Sequence, residues 1–422
     1  MRHIYTILMV LLLPVYVFHL LWRGIRNHDY WRRWFERFGS YPFEHREDVI
    51  WVHAVSVGEV QAALPLIQKI QAQYPEHGVL VTTTTPTGSN RVREALGEDV
   101  SHVYAPYDLP FVINNFLQHF QPALAVIMET EIWPNIYYHC QRRGIPLVLA
   151  NARMSERSAR GYAKLKRLTC ATLQRTSWIA AQTRDDADRL VQLGASVDRL
   201  TVTGSVKVDV RIPASLHEQA AVLRRDWGND RTVWIAASTH ETEEDTLLNV
   251  YEQLLELAPE LMLVLVPRHP ERFGRVANLC QKRGLVTVLR SEGRACTPDT
   301  QVFIGDSMGE LPLFYAAADI AFVGGSLIPH GGQNLIEAAA LGKPVIVGPH
   351  MFNFSEITRM LVAAGAVVQV GDQQQLAQTM RNWLQDPGLR NSIGEKGLEV
   401  VERNRGAVDR LMEIISRITH VL

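Results

Sequence analysis

"DIAFVGGSLIPHGGQNLIEAAALGKPVIVG", from Asp319 to Gly348, decides the fold. It opens on a short apolar run, Asp319–Gly325, passes through a glycine-rich loop, and enters a helix-like run near Asn334. It leaves through a second short apolar run, Pro344–Gly348. Apolar strands of this kind, joined by a helix, belong to a parallel sheet buried on both faces. Six glycines fall in this stretch. Glycine weakens regular elements, so such a cluster marks an unusual backbone path or a close approach to a ligand. Gly331 and Gly332 are the positions where positive φ is expected. The loop offers backbone N–H groups suited to a phosphate, and Glu337, in the helix's first turn, is placed to accept from two ribose hydroxyls. A plain tight turn uses the same residues.

The same rhythm extends in both directions. Strand-like segments are read at Ile50–Ala54, Val79–Thr84, Ala123–Met128, Pro146–Asn151, Trp178–Gln182 and Leu200–Gly204. A proline-containing break around Arg211–Ser215 follows. The pattern restarts at Thr232–Ser238 and continues through Met262–Pro267 and Val302–Asp306. The expected architecture is α/β, with two Rossmann-like doubly wound domains, 31–212 and 213–422, behind an N-terminal segment 1–30. In open sheets of this kind ligands sit beyond the carboxyl ends of the strands, and a cleft between two such domains is a favoured ligand site.

Composition narrows the function. The 422 residues carry 43 Lys+Arg against 44 Asp+Glu, so nothing global points to nucleic acid. Four cysteines without metal-like or redox-like spacing read as isolated thiols in a reducing compartment. The N-terminus departs from the soluble pattern. Ile4–Trp22 is apolar apart from Thr6, Pro14, His19 and two tyrosine hydroxyls. As a helix it would measure about 28 Å, near the thickness of a bilayer core. Arg23, Arg26, Arg32, Arg33 and Arg37 follow, interleaved with Tyr30, Trp31 and Trp34, which places the body of the protein on the cytoplasmic side. A membrane anchor, spanning or monotopic, is expected; a helix lying in the interface or packed on the protein is the alternative.

Several strand ends carry polar clusters, each with a bland reading beside the chemical one. In "HAVSVGEV" (His53–Val60), Glu59 is a capping carboxylate or a general base, with Ser56 beside it. "TTTTPTGSNR" (Thr82–Arg91) is an anion cradle with Arg91 at a helix beginning, or an ordinary N-cap. "METEIWPN" (Met128–Asn135) places Glu129 and Glu131 two apart, in a solvated loop or over a substrate. "NARMSERSARGYAKLKR" (Asn151–Arg167) is a basic run, a solvated helix face or a reader of anionic headgroups. Lys207 in "TGSVKVD" can hold a phosphate or carboxylate as a point charge. In the second half, Ser238 and Thr239 are placed at a helix start, Arg268 and His269 at a strand end, and Ser307–Gly309 in a loop rich in backbone N–H groups. A capped turn would explain each.

Taken in order, "HAVSVGEV", "TTTTPTGSNRV", "ETEIWPN", "NARMSERS", "TGSVKVD", "STHETEE", "VPRHPERF", "GDSMGEL" and "GGSLIPHGGQNLIEAA" resemble the 3-deoxy-D-manno-oct-2-ulosonic acid (Kdo) transferases of lipopolysaccharide synthesis. The resemblance covers nearly the whole chain, including the N-terminal anchor and "WRRWFERFG". It implies a GT-B glycosyltransferase with CMP-Kdo as donor and a lipid A precursor (lipid IVA) as acceptor, working at the cytoplasmic face of the inner membrane. The inner-membrane lipids would be its other partners, through a signal-anchor. Matched residue by residue, Glu59 falls on the general base, and Glu131 and Lys207 on the positions that stabilise the transition state. CMP contacts fall on Pro267 and Arg268, on Met308, Gly309 and Glu310, and on Asn334, Leu335, Ile336 and Glu337. Ser56, Arg91, Ser238, His269, Gly331 and Gly332 are candidate donor or acceptor contacts.

The implied reaction is inverting: Glu59 takes the proton of an acceptor hydroxyl, which attacks the anomeric carbon as CMP departs. Lys207, loop amides and helix N-termini of the second domain would favour the leaving phosphate. One phosphate needs no diphosphate clamp, and Asp186 and Asp188 sit in a helix-like run, so no metal and no cofactor are expected. The nearest rival is a GT-B transferase using a UDP-sugar on another lipid. A nucleotide-sugar epimerase would need no anchor, and a non-catalytic lipid-binding scaffold would leave the polar strand ends unexplained.

Overall fold

The computed structural model describes residues 1–26, 28–42, 48–210 and 212–419, without the side chain of Arg26. Within these residues the chain forms two compact units. The first holds Met1–Asp209 and the segment from Gly406 on; the second is Val210–Arg405.

In the first unit the strands are β1 (Val49–His53), β2 (Gly78–Thr83), β3 (Ser101–Tyr104), β4 (Leu124–Met128), β5 (Leu147–Ala152), β6 (Trp178–Ala181) and β7 (Leu200–Val202). They run parallel in the order β3-β2-β1-β4-β5-β6-β7. β1 and β4 are buried at every position, which is why their sequences are uninterrupted apolar runs. Alternate side chains pack into two cores. Ile50 and Val52 join one with Val60, Ala63 and Ile67, while Val49 and Trp51 join the other with Phe116 and Ile136. Two helices matter below: α1 (Arg2–Arg26) and α2 (Val57–Gln73).

The second unit repeats the plan with β8 (Val233–Thr239), β9 (Met262–Pro267), β10 (Thr287–Leu289), β11 (Val302–Ile304), β12 (Ile320–Val323), β13 (Val345–Val347) and β14 (Val367–Gln369). The order is β10-β11-β9-β8-β12-β13-β14, again all parallel. The doubly wound α/β reading therefore holds for both halves.

The domain bounds differ from the expected ones at the C-terminus. The helix Ala407–Thr419 leaves the second unit and packs Ala407, Val408, Leu411, Met412, Ile414 and Ile415 into the core beside α2. Asp209 accepts from the backbone N–H of Gly406 (2.9 Å) and Val408 (2.8 Å), Lys69 pairs with Asp409, and Arg410 donates to the carbonyl of Thr203. This return depends on a partner far away in sequence, so no local pattern announces it. Of the expected linker, Arg211 lies outside the described residues; helix Ser215–Trp227 starts just after Pro213.

Candidate active site

In the first sheet the winding reverses between β1 and β4, and ligands of doubly wound folds collect beyond the strand ends at such a point. Ser56 caps α2, its Oγ accepting from the Glu59 N–H. Glu59 closes back on the turn: Oε1 accepts from Ser56 Oγ and Oε2 from the Val55 N–H, both at 2.9 Å. The capping reading is thus realised, yet the carboxylate has further properties. It is 7% exposed, and burial, with the nearby Glu129 and Glu131 carboxylates adding to it, pushes its pKa up to about 8 against the opposing Val55 and Ser56 hydrogen bonds.

β4 ends at Met128, and Glu129 turns the chain with φ 55°, in the left-handed region. Its carboxylate meets Lys207 Nζ at 2.6 Å. Burial raises Glu131 above the usual carboxylate range, opposed by the Trp133 indole N–H, which donates to its Oε2 at 2.6 Å. The Lys207 turn is held from β5: Asn151, also left-handed (φ 51°), accepts from the Val206 N–H at 3.1 Å. Glu59, Glu131 and Lys207 are therefore gathered at one edge of one sheet. The sequence reading left Glu129, with Glu131, between a solvated loop and a place over a substrate, and gave Asn151 no role. Glu129 stood in plain view in "ETE", but its partner lies on another strand.

Other expectations in this unit change. Arg91 is not at a helix beginning; it sits within helix Pro86–Leu96, donating to Gln61 Oε1 at 2.8 Å. Thr85 is the N-cap there, accepting from the Gly88 N–H. Of the basic run, Arg157, Arg160, Lys164, Lys166 and Arg167 are exposed, as on a solvated face. Beyond the strand ends, α1 and the β2 end enclose a pocket of 180 Å³ lined by Tyr16, Arg23, Arg37, Thr85, Tyr107 and Trp133.

In the second sheet the reversal falls between β8 and β12. Pro267 ends β9 and Arg268 follows it, Met308, Gly309 and Glu310 follow β11, and Asn334 to Glu337 come after β12, so all lie after strands of one parallel sheet. Arg268 and Met308 are exposed. Gly309 has φ 83°. Glu310 is held below its usual pKa, first by Arg290, which donates to both its oxygens (3.0 and 2.8 Å). Asn334 Nδ2 donates to Glu337 Oε1 at 2.9 Å, and burial raises Glu337. The side chains of Leu335 and Ile336 are buried, leaving their backbone as what they can offer. The helix itself starts at Ile336 rather than Asn334.

Three further corrections concern this unit. Ser238 and Thr239 end β8 instead of starting a helix; Ser238 has φ 54°, and Thr239 donates to Glu244. Gly331 and Gly332 do have positive φ (95° and 75°), but a Cβ on either would run into Asn353 or Met351, so the close approach is to the chain itself. Most of the glycine loop's amides are already used. Gly325, Ser326 and Leu327 donate to the buried carboxylate of Glu243 at 2.8, 3.1 and 3.0 Å, and Gly332 donates to the Gly325 carbonyl. The amides of Gly325 to Leu327 are thus held by an internal carboxylate. The loop instead presents His330, stacked on His240 (ring centroids 4.5 Å apart), with His269 edge-on and Gln333 Nε2 3.2 Å from the His240 ring nitrogen. Burial and the neighbouring cations bring His240 down to about 4, so it is neutral at physiological pH.

Residues 32–210 match the family described as 3-deoxy-D-manno-octulosonic-acid transferase (kdotransferase), and residues 230–400 match glycosyl transferases group 1. The chain is 42% identical to the 3-deoxy-D-manno-octulosonic acid transferase of Haemophilus influenzae over 98% of both chains. The chain belongs to the Kdo transferase family. Identity with the family member from Bordetella pertussis is 37%, over 87% of this chain and 86% of that one. A solved structure, the C-terminal CMP-Kdo binding domain of WaaA from Acinetobacter baumannii, is 38% identical and covers 45% of this chain and 99% of its own, with a TM-score of 0.43. The Kdo transferase is a glycosyltransferase of lipopolysaccharide synthesis, and its two doubly wound units are of the GT-B class.

Proposed function

We propose that this Kdo transferase moves Kdo from CMP-Kdo to a lipid A precursor, lipid IVA, with inversion at the anomeric carbon and release of CMP. The observation that carries the reading is Glu59: a buried carboxylate held near pKa 8 at a sheet reversal, beside the Glu129–Lys207 pair. A base works best with a pKa near the operating pH, where it is both available and strong enough to take a hydroxyl proton. In this scheme the ionised Glu59 accepts the acceptor's hydroxyl proton. The oxygen forms the new bond to the anomeric carbon, and the electron pair of the broken bond leaves with the CMP phosphate.

Glu131 and Lys207 stabilise charge at that edge, Lys207 with part of its field spent on Glu129. CMP is held by the second unit. Arg268 meets the phosphate, Glu337, oriented by Asn334, accepts from ribose hydroxyls, and the backbone of Met308–Glu310 and Leu335–Ile336 supplies the remaining contacts. Ser56 and His269 remain candidate sugar contacts. α1 anchors the protein at the cytoplasmic face of the inner membrane, as its apolar composition and the following arginines favour.

Purified protein given CMP-Kdo and tetra-acylated lipid IVA should yield product heavier by whole Kdo residues, with CMP as the released nucleotide. Turnover with a UDP-sugar and release of UDP would replace the reading with its rival. The reaction is also proposed to need no divalent metal, since a single phosphate leaves. Loss of turnover in a chelator, restored by a divalent ion, would reject that.

A further inference from the structure

Helix α1 meets the first unit along its whole length. Its half-buried and buried positions, Arg2, Tyr5, Met9, Leu13, Tyr16 and Leu20, recur every three or four residues and form one stripe. The first turn is bonded to the domain. Tyr5 donates to Asp108 at 2.9 Å, Thr6 and Arg2 both donate to Asn135 Oδ1 at 3.1 Å, and the Arg2 guanidinium lies 3.5 Å over the Tyr138 ring. Asp108 and Asn135 are themselves buried, and Asp108 accepts from the Asn135 and Ile136 N–H groups at the start of helix Pro134–Arg142. About three turns further along, Tyr16 packs on Tyr107 (ring centroids 5.6 Å apart), and one turn beyond it Leu20 is 6% exposed.

The opposite stripe, Ile4, Ile7, Leu11, Val15, Phe18 and Trp22, has the same spacing, and these side chains are 43–71% exposed. An apolar face this long on a water-soluble surface calls for a covering. Its chemistry selects one. Trp22, Trp31 and Trp34 stand exposed at the end where Arg23 and Arg32 are also exposed, which matches the aromatic and cationic dressing of an anionic bilayer surface.

A helix of 25 residues is about 37 Å long. Were it to cross the bilayer, Arg2 and Thr6 would stand on the opposite side from the domain, and none of the contacts with Asp108, Asn135 and Tyr138 could form. We infer that α1 does not span: it lies in the plane of an anionic phospholipid surface, its inner stripe fixed to the first unit and its outer stripe sunk at the headgroup–acyl boundary. This rests on the membrane attachment proposed above and sets its mode.

Three measurements on the full chain in vesicles containing phosphatidylglycerol test it, with the native cysteines replaced and transferase turnover checked. Flotation with the vesicles tests attachment alone; failure to float sinks the membrane reading and this inference with it. In floating protein, an Arg2→Cys/Tyr138→Cys pair should be joined nearly completely by a short bismaleimide that replaces the span of the two long side chains. Labels at Ile4→Cys, Leu11→Cys and Phe18→Cys, all on the exposed face and harmless to the core, should be quenched at one shallow depth by lipids brominated along their chains. Floating protein without the cross-link, or with Leu11 deep and both ends shallow, overturns the in-plane mode while leaving attachment intact. Labels shielded from lipid and water alike, in protein that elutes as a dimer, would show a second copy covering the stripe and overturn it too.

Discussion

Glu59 carries two loads that are usually separate. It closes the first turn of α2 as a cap, and it is proposed to take the acceptor's proton. Glu59→Gln keeps the shape and loses the base, so turnover should fall by about 10²–10⁴-fold while CMP binding by the second unit stays unchanged in calorimetry. Activity near that of the unsubstituted enzyme would reject the assignment. The raised pKa fixes a sign as well. Below about 8 the carboxyl is mostly protonated, so kcat/KM should climb with pH on its acid side with an inflection near that value. The same shift acts on folding. A carboxyl raised in the folded state favours folding at pH below its unfolded value, and that advantage is lost as pH rises through about 8. The unsubstituted enzyme should therefore lose thermal stability relative to the Glu59→Gln variant across that window. Lys207→Met would leave Glu129 unpaired among three carboxylates, and the acid limb should then move to higher pH. An unmoved limb would disconnect the pair from Glu59. These couplings are what the sequence withheld: "HAVSVGEV" displays the cap, but the neighbours that raise its pKa arrive from β4.

Among the elements, strands whose both faces are buried were legible, and of the four end strands only β7 was read. β1, β4, β8 and β9 read as continuous apolar runs because the sheet covers them on each side. β3, β10 and β14 went unread, and each is an end strand of its sheet. Ser101 and His102, Thr287, and Gln369 meet more solvent there, so the apolar signal fails. The glycine loop after β12 was located correctly, but the use of its first amides, Gly325 to Leu327, on an internal carboxylate was not legible. Its shape depends on Glu243, some eighty residues earlier in the chain, which no local pattern connects to it. Glu243→Ala would strand four backbone donors, on His240, Gly325, Ser326 and Leu327, three of them buried residues, and should cost the second unit about 3 kcal/mol or more in urea denaturation. A shift below about 1 kcal/mol would mean that water replaces the carboxylate. Gly332→Ala forces both a positive φ and a collision with Met351, and the same assay should show a loss of at least about 1 kcal/mol.

At the scale of the molecule, the tandem of doubly wound units was legible because each repeats the strand–helix rhythm, and family motifs spread over the whole chain. The destination of the last helix was not. Ending the chain at Arg405 removes Ala407–Thr419 from the first unit's core, uncovering apolar side chains of α2 such as Ile67 and Ile70. Hydrogen exchange should then accelerate in β1, β2 and α2 while β8 and β9 keep their protection. Uniform loss of protection in both units, or in neither, would contradict the division seen here.

The closing segment also sets a timetable for synthesis. A ribosome delivers the first unit's scaffold early but the helix Ala407–Thr419 only after the entire second unit has emerged. The second unit can reach its native state while the first still lacks a piece of its interior, and domains do fold as units during synthesis. The nascent first unit must wait, its apolar surface a natural target for chaperones, until that helix emerges. A frameshift in the codons for Ala407–Thr419 would consequently strike the unit whose scaffold is encoded ahead of the whole second one.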